Sequence, residues 1–123
     1  MDAATAYREI STCADRIRAL TGSPGRWFRP SQTQYASALL KEQAARAGYP
    51  TCLSYSLDSR DHTDPGPDAV ARTVLAGVRP GSVVSLHCGH EGTTAALPVI
   101  LDGLRAKGLR PVTAGDLFTP TAA

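Results

Sequence analysis

A chain of 123 residues holds at most one domain of ordinary size, and 42% hydrophobic with 20% charged residues is a globular composition, not a disordered one. The formal net charge of +2, with Lys and Arg spread along the chain, excludes the clustered basic footprint of a nucleic-acid binder. No apolar run spans a bilayer and the N-terminus reads as a helix instead of an export signal, so neither a membrane partner nor a particular compartment is indicated.

Ile10, Cys13, Ala14, Ile17 and Leu20 recur at helical spacing until Thr21-Gly22-Ser23-Pro24-Gly25, which predicts a first helix over about residues 3–20. Arg26 to Arg29 is a short strand candidate closed by Pro30. Tyr35, Ala38, Leu39 and the alanines up to Ala47 predict a second helix, with Gly48 in the C-terminal glycine position. Thr51 to Leu57 is the next strand, followed by a loop rich in Asp, Pro and Gly from Asp58 to Pro67. Pro67-Asp68 opens a third helix through Val70, Val74 and Leu75 that ends near Gly77. Ser82 to Leu86 is a β-branched run after Pro80-Gly81 and predicts a buried strand. A fourth helix carries Leu97, Ile100, Leu101 and Leu104, with Pro98 expected in its first turn. Leu109 to Thr113 is a last strand, before a terminal turn at Asp116-Leu117-Phe118.

The alternation implies an α/β chain: a partial (β/α) barrel of about four parallel βα units, treated as a single half-domain over residues 1–123. In such a fold chemistry gathers where strands end. Three strand-like runs end on polar groups: Arg29 after Trp27-Phe28, Asp58 to His62 after Leu57, and His87 after Leu86. His87 is therefore the first candidate for a catalytic group, against the plainer reading of a histidine that hydrogen-bonds a strand end. The three cysteines, Cys13, Cys52 and Cys88, lack CxxC spacing, which argues against a disulfide framework and a four-cysteine zinc site. Cys13 and Cys52 read as small apolar residues. His87, Cys88 and His90 cluster and His62 lies on a neighbouring strand-end loop, so a His/Cys zinc site is conceivable, but neighbours along a strand point to opposite faces, and no metal is expected on these residues.

Glu9 to Gly22 with Trp27-Phe28-Arg29-Pro30, then Leu57-Asp58-Ser59-Arg60-Asp61, then Arg79 to His87 resemble, in order, the arginine-proline, aspartate and leucine-histidine motifs of the polysaccharide deacetylases, the NodB-homology domain of carbohydrate esterase family four. The resemblance covers about Tyr7 to Phe118 and corresponds to the C-terminal half of that domain. It implies a distorted (β/α) barrel that hydrolyses the N-acetyl amide bond of amino sugars with a divalent metal, usually zinc, an aspartate base and a histidine acid. Carried over by motif position, His87 would be the acid, Leu86 part of the acetyl pocket, Asp58 the carboxylate holding the His87 imidazolium, and Arg29 the group orienting the base; a carboxylate oxygen of Asp58 or Asp61 is expected near the His87 imidazole. Asp61, His62 and Trp27 would meet substrate.

The family's Thr-Phe-Asp-Asp-Gly strand end and its His-Ser/Thr-x-x-His helix, which supply the base and the metal ligands, are absent from this sequence. Ser31-Gln32 stands where the family has Pro-Tyr-Gly, His62 where it often has tryptophan, and Cys88 where an aspartate commonly follows the histidine. Three readings follow. The chain is a deacetylase half whose zinc and base come from an N-terminal part, or a homologue using metal-free acid/base chemistry on a small molecule, or a non-catalytic carbohydrate-binding or assembly module. Whether it is an enzyme stays open at this level. An open half-barrel leaves strand edge and apolar surface bare, so a homo-oligomer or a complementing N-terminal fragment is expected.

Overall fold

The computed structural model describes residues 1–119, which form two compact units, Met1–Ser54 and a second beginning at Tyr55. In the first unit, helix α1 (Ala3–Thr21) starts at Asp2, whose carboxylate accepts from Thr5 N at 2.7 Å, and stops at Gly22 with φ 86°. That left-handed conformation suits glycine, and its N–H closes on Arg18 O at 2.8 Å. Helix α2 (Ala38–Arg46) is capped by the Ser37 hydroxyl, which accepts from Leu40 N. Ala6, Ile10 and Ala14 lie four apart and make the buried stripe of α1. Ile10 and Ala14 pack with Ala44 and Tyr49, against which Phe28, Ala47 and Cys52 lie. The Tyr49 hydroxyl donates to Pro24 O at 2.8 Å, which meets its need for a partner in a buried setting.

The helical periodicity placed α1 correctly along the chain and one step off around it. Cys13 is exposed and Leu20 is 78% exposed, because three small or branched residues, Ala6, Ile10 and Ala14, already fill the contact with α2. Arg26–Arg29 keeps only a parallel bridge from Phe28 to Cys52, supported by Leu53 N donating to Phe28 O at 2.7 Å, and of the run Thr51–Leu57 Cys52 makes that bridge while Leu57 alone enters a strand.

The second unit holds the strand pair. β1 (Leu57–Asp58) and β2 (Val84–Ser85) are parallel, Leu57 opposite Val84 and Asp58 opposite Ser85, and they are joined through helix α3 (Pro67–Gly77). Helix α4 (Glu91–Ala106) packs on α3, and Val70, Ala71, Val74, Ala96 and Ile100 are buried between them. The helices approach closely: a Cβ on Gly103 would stand 2.5 Å from Leu75 Cδ1. A short helix α5 (Ala114–Phe118) takes the place of the expected terminal turn. Pro98 sits in the interior of α4 instead of its first turn, and Leu109–Thr113 forms no strand among the described residues. The described residues are thus mostly helical with one two-stranded parallel sheet, and a barrel of four units is not among them. No described helix is long and apolar enough to cross a membrane.

Candidate active site

β1 and β2, being parallel, end on the same side, and the segments leaving them carry most of the polar residues singled out above. After β1 the chain makes a tight excursion: Arg60 (φ 59°) and Asp64 (φ 51°) both adopt the left-handed region and bracket a 3-10 turn at Asp61–Thr63. Two non-glycine residues in that region within five positions represent stored backbone strain, which clusters at functional sites. The turn drives Asp61 inward, where its side chain is wholly buried.

Asp61 is held from two directions. Its Oδ1 lies 2.7 Å from His87 Nδ1, while its Oδ2 accepts from the His87 backbone N–H and from the Thr93 hydroxyl, each at 2.7 Å. The Ser59 hydroxyl accepts from Asp61 N at 3.3 Å. Burial works against the carboxylate's charge, yet the hydrogen bonds from His87 N–H, Thr93, the His87 ring and Ser59 outweigh it, and they hold the Asp61 carboxyl well below the usual carboxylate range. An ionised carboxylate only accepts, so His87 Nδ1 carries its proton toward Asp61 and Nε2 is the nitrogen left for a ligand on a ring that is 39% exposed.

Of the two carboxylates expected near His87, the one on its ring is that of Asp61, and Asp58, which the motif position assigned to holding the imidazolium, does not touch it. Asp58 Oδ1 instead accepts from Arg60 N at 2.9 Å and shapes the turn. Leu86 packs against the α3–α4 core. His62 stands edge-on to His87, ring centres 5.3 Å apart, and His90, the residue before α4, stands 6.3 Å from it on another side. His90 Nδ1 pairs with Asp64 Oδ1 at 2.7 Å, a second histidine–carboxylate contact beside the first. Sequence reasoning assigned no role to Thr93, Ser59 or this second pair. A threonine in the first turn of a helix carries no signal of its own, and only the fold brings it onto Asp61. Trp27 and Arg29 belong to the first unit, where Arg26 lies over the Trp27 ring and Arg29 Nη1 donates to Thr33 O at 3.3 Å.

Among the described residues, Asp61, His62 and His87 are the metal-type donors that converge, with one donor atom from each within 4.8 Å of the others. The Asp61 oxygens are engaged by His87 and Thr93 and shielded from solvent, so the group presents two imidazoles. A catalytic zinc needs three protein ligands and an open position. Among the described residues, these two imidazoles do not make up the three-ligand set of a catalytic zinc.

No family model matches the chain. It is 37% identical over 95 residues to the peptidoglycan-N-acetylglucosamine deacetylase of Bacillus cereus, covering 74% of this chain and 44% of that protein. With the chitooligosaccharide deacetylase of Sinorhizobium fredii it shares 36% over 78 residues, 53% of this chain and 36% of the relative. The chain thus spans less than half the length of these curated relatives. Among solved structures, the family 4 carbohydrate esterase of Streptomyces lividans, in complex with acetate, matches with a TM-score of 0.83 and 27% identity, over 92% of this chain and 57% of that one. A family 4 pseudoenzyme from Bacillus anthracis shares the fold, with a TM-score of 0.86 at 22% identity, over 95% of this chain and 41% of that one. In sequence and in fold, the chain is a homologue of part of the carbohydrate esterase family 4 deacetylases.

Proposed function

We propose that this chain is the acid-bearing part of a hydrolase that removes acetyl groups from N-acetylated amino sugars, with His87 as the proton donor. The observation that carries this reading is the Asp61–His87 pair at the ends of parallel strands. Cleaving an amide expels an amine, a poor leaving group unless it is protonated as the C–N bond breaks. Protonated His87 hands the Nε2 proton to that nitrogen and becomes neutral imidazole. Its Nδ1–H stays on Asp61, so the ring keeps one tautomer and one orientation before and after transfer.

Leu86 is proposed to flank the acetyl methyl and His62 to meet the sugar, while Asp58 shapes the turn that delivers Asp61. The base and the metal site belong to the part of the relatives' length that this chain does not match. The test is acetate release from N-acetylglucosamine oligomers by this chain assembled with the segment of the Bacillus cereus relative that it does not match, supplied with zinc. Activity that vanishes in His87→Gln and falls sharply in Asp61→Asn supports the reading. An active assembly that keeps its full rate in His87→Gln removes His87 from the role.

A further inference from the structure

We propose that His62 and His87 form a chelating site for a borderline transition-metal ion, zinc, nickel or copper(II), apart from the metal that deacetylation requires, with Asp61 as the carboxylate behind it. Imidazole suits these ions, and a ligating histidine typically donates its other ring N–H to a carboxylate, which fixes its tautomer. His87 already has that arrangement: Nδ1 is 2.7 Å from buried Asp61 and Nε2 is left for the ion.

The spacing of the second imidazole fits. Two histidines on one tetrahedral ion, with metal–nitrogen bonds of about 2.0–2.1 Å, hold their ring centres about 5 Å apart. His62 and His87 stand 5.3 Å apart with planes inclined at 62°, and one donor nitrogen from each lies within 4.8 Å of the other. His62 is exposed, so turning its nitrogen toward the ion costs little packing. His90, at 6.3 Å from His87 and tied to Asp64, is too far to share a tetrahedral ion without moving. Water completes the shell. One consequence rests on the proposed deacetylase reading: an ion on Nε2 occupies the nitrogen that donates the proton, so metal occupancy and proton donation exclude each other.

The experiment is calorimetric titration of the full chain with zinc chloride and, separately, nickel chloride near neutral pH, paired with long-range proton–nitrogen spectra of the imidazoles. The expected result is one ion per chain, with a coordination shift at His87 Nε2 and at one nitrogen of His62. Affinity should fall at least about tenfold in His62→Phe, which keeps an aromatic edge on His87, and about tenfold in Asp61→Asn, where the carboxylate behind the ligand is lost. Cys88→Ser should bind as the unmodified chain does. Absence of saturable binding, unchanged affinity in His62→Phe or in its alternative His62→Gln, or loss of binding in Cys88→Ser each overturns the site. No activity is measured, so failure here leaves the role of His87 as proton donor standing.

Discussion

Asp58 and Asp61 are three residues apart in one acidic loop, and only one of them touches His87. What separates them is backbone conformation: Arg60 in the left-handed region starts a 3-10 turn that carries Asp61 under the imidazole, while Asp58 stays at the strand end and accepts from Arg60 N. Local composition does not encode that distinction, since either aspartate satisfies a motif. The position of His87, two residues beyond β2, was legible because an apolar run after Pro-Gly marks a strand whichever neighbours it finds. Thr93 was not legible, as its value lies in reaching Asp61 from a different element.

A titration consequence follows for Asp61. Its folded pKa lies below the unfolded value of about 3.9, so its contribution to stability is fully present above that value and is lost as pH falls toward the folded one. Hydrogen bonds to a charged group contribute about 1.5–3 kcal/mol each, so Asp61→Asn should cost the second unit about 2–3 kcal/mol at pH 7. The deficit should shrink on acidification below about pH 4, where the native carboxylate also loses its advantage. Urea unfolding of both proteins at pH 7 and pH 3 checks this, and an equal deficit at both would show that Asp61 acts by packing alone.

Helices were easier to read than strands for a physical reason. The apolar faces of α3 and α4 meet each other, so their 3.6-residue pattern is imposed by a contact near in sequence. Strand formation depends on the neighbour that receives the hydrogen bonds. Thr51–Ser56 and Leu109–Thr113 have the composition of strands, yet among the described residues only Leu57–Asp58 and Val84–Ser85 form a ladder.

Pro98 makes the reverse point. An interior proline breaks a helical hydrogen bond and costs about 3 kcal/mol, but α4 continues through it because Ala96 and Ile100, on either side, are buried against α3. Pro98 itself is exposed, so its replacement removes no core contact. Pro98→Ala should therefore stabilise the second unit by about 1–3 kcal/mol, the relief of the helix defect less the entropy that alanine returns to the unfolded chain. A thermal unfolding midpoint that rises bears this out, and one that falls would mean that the proline ring supports a necessary bend.

Across the whole chain, both units leave large apolar side chains in solvent. In the first, Ile17 and Leu20 continue the α1 stripe beyond the point where α2 covers it, at 39% and 78% exposure. In the second, Leu97, Leu101, Leu104 and Leu109 line a groove of about 750 Å³ that contains none of the histidines of the site. Single exposed leucines are ordinary, but a contiguous apolar groove is the kind of surface that another polypeptide covers. We propose a second copy of this chain as the first candidate. A stable interface buries roughly 1,200–2,000 Å² in total. Light scattering at micromolar concentration should give a dimer mass for the unmodified chain. A buried charge without a partner is costly at such a contact, so Leu101→Asp, at a residue 45% exposed on the groove, should drive the mass toward the monomer. Ile17→Asp does the same if α1 takes part. A stable monomer indifferent to both substitutions would show that each unit closes its own core, and the assembly proposal would then fail.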